Sequence, residues 1–312
     1  MKITTLTLSP AVDIEYHTAS INTSGLNRTS THTITAGGKG INVSRAILAC
    51  AKEDGVDLSR VLRTVAPTGG VTGEMMRKIL AEENIPVTAV QIDGNTRVNI
   101  SLIPDASGQD SIEINAPGTP LGVRIEAVEN LILGSLEKGD VVAICGSCPS
   151  DVKKTYPAEL CRRIKRLGGY VILDCDGVAL DYALSPHSDE ERVLCPDLIK
   201  PNTKELSGFV GRELETLADI KAAAEEVSVS TDGVTTIITT MSGDGSVLTY
   251  KDTDGCVKSV FFPTEKCQVV RLKGAGDTFL GAYIYHRFVK NSSSEEAMKE
   301  AGIRAGRYVA GE

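Results

Sequence analysis

The sequence predicts an α/β fold in which a mostly parallel central sheet is covered by helices on both faces and a small second sheet lies over one edge as a lid. Three observations carry that expectation. Apolar runs of strand length alternate with amphipathic helical patterns along most of the 312 residues, the rhythm of repeated β-α-β units. Two stretches, residues 13–36 and 88–115, break the rhythm with Thr-rich alternation, as in Arg28-Thr-Ser-Thr-His-Thr-Ile-Thr35 and Arg97-Val-Asn-Ile-Ser-Leu-Ile103. A period of two marks half-exposed strands, and neither stretch is closely followed by a crossover helix. Finally, no Gly/Ser/Pro-rich linker and no repeat of solenoid period divides the chain, so residues 1–312 are expected to form a single domain with the lid strands inserted.

The elements follow in order. Residues 2–8 alternate polar and apolar, carry one positive charge and are soon followed by Asp13, which reads as a strand rather than a secretory signal. Helical periodicity over 40–52 and 73–83 flanks a strand at 61–66. Residues 140–145 include Val141-Val142-Ala143-Ile144, an apolar run without alternation, as expected of a strand buried on both faces. Helical patterns at 151–167 and 217–228 and strands at 170–173 and 235–239 continue the series. Helices at 280–289 and 294–312 close it.

Composition removes several function classes. The apolar fraction is an ordinary 41% and no low-complexity tract appears, which excludes a disordered chain. The 33 Lys and Arg against 41 Asp and Glu leave a net charge of −8 with no basic block, so a dedicated nucleic-acid partner is not expected. The longest apolar runs are too short to span a bilayer, so no membrane association is expected and the setting reads as cytoplasmic. The sequons at Asn22, Asn27, Asn42, Asn99 and Asn291 are then coincidental. Cys145-Gly146-Ser147-Cys148 is a C-x-x-C, but no second close pair and none of His17, His32, His187 and His286 completes a zinc set, and reduced thiols are expected.

Two glycine-rich segments carry the chemistry. Lys273-Gly274-Ala275-Gly276-Asp277-Thr278-Phe279 leads into an apolar helix. Small residues before a helix leave backbone N–H groups open, and the helix dipole adds positive potential, which together form an anion hole. Asp277 there can accept a proton from an attacking hydroxyl, or serve simply as a helix cap. Ala36-Gly37-Gly38-Lys39-Gly40-Ile41-Asn42 also leads into a helix, and offers close backbone approach, a point charge and an amide. Neither G-x-x-x-x-G-K-[ST] nor a strand-linked G-x-G-x-x-G occurs.

Taken together, the two segments resemble the paired signatures of the ribokinase-like, PfkB-type carbohydrate kinases, Gly-Gly-Lys-Gly-x-Asn early and Gly-Ala-Gly-Asp late. Leu8-Ser9-Pro10-Ala11-Val12-Asp13, Asn27-Arg28, Thr96-Arg97-Val98-Asn99, Gly146-Ser147-Cys148-Pro149 and Leu198-Ile199-Lys200-Pro201-Asn202-x-x-Glu205 agree with the family over essentially the whole chain. The resemblance implies a ribokinase-like three-layer sandwich with a β-sheet lid over a sugar site. It implies that Asp277 is the catalytic base and that Gly274, Ala275 and Gly276 form the anion hole. Asn202 and Glu205 would help place Mg²⁺ and the phosphates of ATP. Lys200, Thr240, Ser242, Gly243 and Gly245 would line the nucleotide side. Asp13, Gly37, Gly38 and Asn42 would contact the sugar. Lys39, Arg97, Arg28 and Ser147 would hold a phosphate the sugar already carries; an Arg can grip it bidentately.

Arg97-Val-Asn-Ile and Glu113-Ile114-Asn115-Ala116-Pro117-Gly118 are similar to 1-phosphofructokinases, implying ATP-dependent phosphorylation of fructose 1-phosphate at its 6-hydroxyl. The alternatives are a tagatose-6-phosphate or fructose-6-phosphate kinase of the same family, or a catalytically weak sugar-phosphate-binding regulator. The chain departs from the family at Ser9 (usually Asn), Ser101 (often Lys), Cys148 (often Leu) and Ser242 (usually Gly). A homodimer through the lid strands is a further expectation from the resemblance.

Overall fold

The computed structural model describes residues 1–105, 109–175, 177–185, 188, 192–231, 233–252 and 254–312; His187 lies outside them. The chain begins with strand β1 (Ile3–Thr7), leaves the core as β2 (Ala11–Thr18) and β3 (Thr31–Gly37), and returns through helix α1 (Lys39–Glu53). β4 (Leu62–Thr68), α2 (Gly70–Glu82) and β5 (Val87–Gln91) follow, then a second excursion as β6 (Arg97–Pro104) and β7 (Ile112–Asn115). Next come α3 (Arg124–Leu133), β8 (Val141–Cys145), α4 (Tyr156–Arg166), β9 (Tyr170–Asp174), α5 (Val178–Leu184) and β10 (Leu198–Ile199). The C-terminal part comprises α6 (Thr203–Val210), α7 (Leu217–Ser230), β11 (Thr236–Thr240), β12 (Gly245–Lys251), β13 (Val257–Pro263), α8 (Ala275–Ile284) and α9 (Ser294–Ala310).

The nine-stranded central sheet has the order β13-β12-β11-β10-β9-β8-β1-β4-β5. Its pairings are parallel from β5 to β11, and only β12 and β13 run antiparallel to their neighbours. Alternate residues of the apolar strands feed two cores. In β8, Val142 and Ile144 join one cluster with Leu160 of α4 and Ala223 of α7. Val141 and Ala143 join the other with Ile47 of α1, Leu280 of α8 and Met298 of α9. That two-sided burial is why the run shows no polar alternation. Thr-rich β1 places its polar side chains in hydrogen bonds: the Thr5 hydroxyl lies 2.7 Å from that of Ser44, to which Thr64 also donates at 2.7 Å.

The lid is a separate four-stranded sheet, β3-β2-β6-β7, in which β2 pairs parallel with β6 across the two excursions. A third apolar cluster joins its base to the core through Val12, Ala36, Ile41 and Met76. Some boundaries differ from the sequence reading. Residues 88–91, expected in the lid, belong to β5 and pair parallel with β4; α2 lies between them, so this is an ordinary crossover. α4 starts at Tyr156 rather than 151 because Pro157 sits in its first turn, where a missing N–H costs nothing. The helix expected over 280–289 begins earlier, at Ala275, and its last turn, Tyr285–Val289, widens to a π-helix.

Candidate active site

The strand order reverses between β1 and β8, and the carboxyl ends of the strands beside that point form the floor of the site, where α/β sheets bind ligands. Thr7, Cys145 and Asp174 stand in register there. Leu173 pairs with Ile199, so Lys200 emerges beside Asp174. Asp174 is 3% exposed and faces two ammonium groups, Lys200 Nζ at 3.2 Å and Lys39 Nζ at 3.8 Å from Oδ1. Its Oδ2 is buried without a partner.

Lys39 reaches this point because it opens α1. Gly38 before it has φ 133°, a conformation side chains rarely adopt. Gly37 is fixed by close approach instead, since a Cβ there would lie 2.0 Å from Asp13 Oδ2. Burial alone would lower the Lys39 pKa, but the carboxylates of Asp174, Asp277 and Glu205 outweigh it and hold the ammonium charged well above its usual range.

Asp277 lies in the first turn of α8 and is 9% exposed. The Asn42 side chain donates to its Oδ2 at 2.8 Å, and Arg45 donates to Asn42 Oδ1 at 2.6 Å, which fixes the orientation of the amide. Burial, and then the negative charge of Asp174, push the Asp277 carboxyl up to about 6, against the Asn42 hydrogen bond and the charges of Lys200 and Lys39. A carboxylate tuned that way still ionises near neutrality and is a better proton acceptor than an exposed one. Gly274 takes the left-handed φ of 88° that turns the chain into the helix. The Ala275 N–H donates to Leu272 O at 3.1 Å, so the sequence expectation of Ala275 as an anion-hole donor is not matched by its backbone amide. The amides of Gly276 and Asp277 donate to no protein acceptor among the described residues. Lys200 Nζ lies just beneath, 3.6 Å from where a Cβ on Gly276 would stand.

On the lid side, Asp13 Oδ1 accepts from Asn99 at 2.8 Å, and Lys273 Nζ is 4.0 Å from Oδ2. Arg97 donates to Ser9 O at 2.8 Å and to Ala116 O at 3.0 Å, leaving a buried Nε without a partner. Ser147 is exposed beyond Gly146, which lies over the Lys39 stem. Arg28 is not brought to this group. Its carbonyl accepts from Thr18 at the far end of β2, about 17 Å along the strand from Asp13 at ~3.3 Å per residue.

On the opposite side, Asn202 caps α6: its side chain accepts from Glu205 N at 2.9 Å while Glu205 Oε2 accepts from Asn202 N at 2.8 Å. Each residue expected at the metal thus has one oxygen engaged in a capping box. Thr240 N donates to Pro201 O at 3.0 Å and joins this end to β11. Ser242 and Gly243 are exposed beyond it, and Ser242 holds φ 53°, which explains why a glycine is usual there. Gly245 is set by packing, because a Cβ would lie 2.3 Å from Phe262 O.

Residues 7–308 match the pfkB family carbohydrate kinases. The chain belongs to that family. This kinase is 33% identical over 307 residues to the ATP-dependent 6-phosphofructokinase isozyme 2 of Escherichia coli K12, covering 98% of its own length and 91% of the relative's. It is 31% identical over 309 residues to the 1-phosphofructokinase of Bacillus subtilis, covering 99% and 92%. The crystal structure of Escherichia coli phosphofructokinase-2 in complex with fructose 6-phosphate superposes with a TM-score of 0.85 at 29% identity, over 99% of this chain and 93% of that one. A ribokinase from Thermotoga maritima shares the fold, with a TM-score of 0.72 at 21% identity over 99% and 93%. The kinase is therefore a phosphotransferase acting on a hydroxyl group, with the ribokinase-like fold.

Asp174 and Asn99 are site residues the sequence reading did not assign. The only signal for Asp174 is a carboxylate ending an apolar run, Tyr170-Val-Ile-Leu-Asp174, whose residues from Val171 on are buried. The eight cysteines are all free thiols. Burial pushes Cys148 up to about 11 and Cys145 well above its usual range, so the C-x-x-C thiols stay protonated. Among the described residues no helix is long and apolar enough to cross a membrane.

Proposed function

We propose that this kinase phosphorylates the 6-hydroxyl of fructose 1-phosphate with ATP, giving fructose 1,6-bisphosphate and ADP. The observation that carries the chemistry is the Asn42–Asp277 contact beside two open amides and two lysines that share Asp174. The 6-hydroxyl oxygen attacks the γ-phosphorus while its proton passes to an Asp277 carboxylate oxygen, and the bond to the β-phosphate oxygen breaks in line. The Gly276 and Asp277 amides and Lys200 take up the charge that develops on the transferring group. Lys39 and Arg97 supply the positive charge for the phosphate the sugar already carries, and Asp13 and Asn99 orient its hydroxyls.

The buried, partnerless Asp174 Oδ2 and the second oxygen of Glu205 are the hard donors suited to Mg²⁺, which takes one or two carboxylates and completes its shell with phosphate and water. Bound there, Mg²⁺ would neutralise charge on the β- and γ-phosphates. We further propose a homodimer through the lid, whose strands leave Ile34, Ile112 and Ile114 exposed, in a cytoplasmic setting that supplies ATP.

The somewhat higher identity to the 6-phosphofructokinase isozyme favours a second reading, fructose 6-phosphate phosphorylated at its 1-hydroxyl. An ADP-release assay with Mg·ATP separates the readings by comparing fructose 1-phosphate, fructose 6-phosphate, tagatose 6-phosphate and free fructose. The expected result is the highest kcat/KM for fructose 1-phosphate. A preference for a 6-phosphate keeps the mechanism and reverses the sugar, and no turnover on any of them leaves the binding-only regulator.

A further inference from the structure

The C-terminal helix reaches back to the catalytic turn. Tyr308, in the last turns of α9, donates its hydroxyl to Lys273 O at 2.8 Å. That carbonyl belongs to the peptide joining Lys273 to Gly274, so the bond fixes the plane from which the left-handed turn departs. The fit is close, because a Cβ on Gly274 would lie 2.8 Å from the Tyr308 oxygen. The tyrosine is itself held in place. Arg271 stacks on its ring at 4.6 Å from the centroid and donates to Tyr308 O at 3.1 Å. The amides of Val270 and Arg271 both donate to Val309 O, at 2.8 and 3.2 Å. The segment leading into the turn is thus laid against the end of α9 and pinned at its last peptide.

We propose that Tyr308 is a positioning residue for phosphoryl transfer, its hydroxyl locking the Lys273–Gly274 peptide so that the Gly276 and Asp277 amides stay aimed at the transferring group. The proposal rests on reading that turn as the anion hole. Amides aimed at charge that appears only during transfer act on the transition state and little on either bound substrate. The hydroxyl's effect should therefore fall on kcat and not on KM.

Tyr308→Phe tests this, since it keeps the ring and its stacking with Arg271 and removes only the hydroxyl. The measurements are kcat, KM for Mg·ATP and for the sugar phosphate, and affinity for Mg·ADP with tetrafluoroaluminate, a planar mimic of the transferring group, in the presence of the sugar phosphate. Loss of one hydrogen bond of ordinary strength predicts kcat lower by about tenfold, both KM values within about twofold, and mimic affinity weakened by the same factor as kcat. Unchanged kcat and mimic affinity would overturn the proposal. So would a loss spread over both KM values without selective loss of the mimic, because that is general loosening. Asp277→Asn is measured alongside. If it keeps turnover, the turn is not the catalytic centre and the underlying reading falls; if it is inactive while Tyr308→Phe behaves as wild type, only the role of Tyr308 falls.

Discussion

At the scale of single residues, the two demands on Asp277 conflict. On the proposed mechanism it must ionise to accept a proton, yet burial and the neighbouring Asp174 raise its carboxyl from 3.8 to about 6. The folded protein therefore holds that proton more tightly than the unfolded chain. The resulting cost is absent below about pH 4, grows as the pH rises toward 6, and is complete above it, at about 3 kcal/mol to an order of magnitude. Asp277→Asn removes the charge and keeps an oxygen that can accept from Asn42. We expect it to be inactive yet more resistant to denaturant than wild type at pH 8, with the difference closing toward pH 4; urea titrations at both values check this. In the wild type, kcat with both substrates saturating should fall as the pH drops through the region of 6. Asp277 was legible from its Gly-Ala-Gly-Asp setting. Asp174 was not, because nothing local distinguishes a carboxylate that two distant lysines share.

At the scale of elements, helix starts do much of the placing. Lys39 opens α1, Asp277 lies in the first turn of α8, and Asn202 caps α6. The capping box makes α6 a rigid platform next to the Thr240–Gly245 turn. Asn202→Ala should cost about 1 kcal/mol of stability and raise KM for Mg·ATP while leaving KM for the sugar phosphate unchanged, a split that steady-state kinetics would detect. A rise in both would place Asn202 in general packing instead. The strands of the core were readable, since β8 and β9 are unbroken apolar runs whose alternate residues fill opposite clusters. β5 was misread as lid because Val87–Gln91 is a half-exposed edge strand, and an edge strand alternates just as a lid strand does. The π-helical turn after α8 had no sequence signal at all.

At the scale of the molecule, the chain first enters the lid after Ser9 and finally leaves it at Ala116, and the Arg97 guanidinium ties the first crossing to the last through their carbonyls. The family resemblance implies Arg97 as a cation for phosphate, whereas its carbonyl partners follow only from the folded path. Arg97→Lys keeps a charge but cannot span both carbonyls. Losing at least one of the two charge-assisted hydrogen bonds predicts a KM for the sugar phosphate raised by about tenfold and a lower melting temperature, checked by kinetics and by thermal unfolding in parallel. An unchanged KM would confine Arg97 to a structural tie of the lid, with no part in holding the phosphate. The order of the central sheet has its own consequence. Its strands are laid down outward from β1, with β4 and β5 on one side and β8 through β13 on the other, so a chain emerging from the ribosome can extend the sheet as it is synthesised. The contact between Asn42 and Asp277 spans 235 residues and waits for α8. On the proposed mechanism, an incomplete nascent chain lacks the Asp277 carboxylate and cannot spend ATP before synthesis reaches the C-terminal helices.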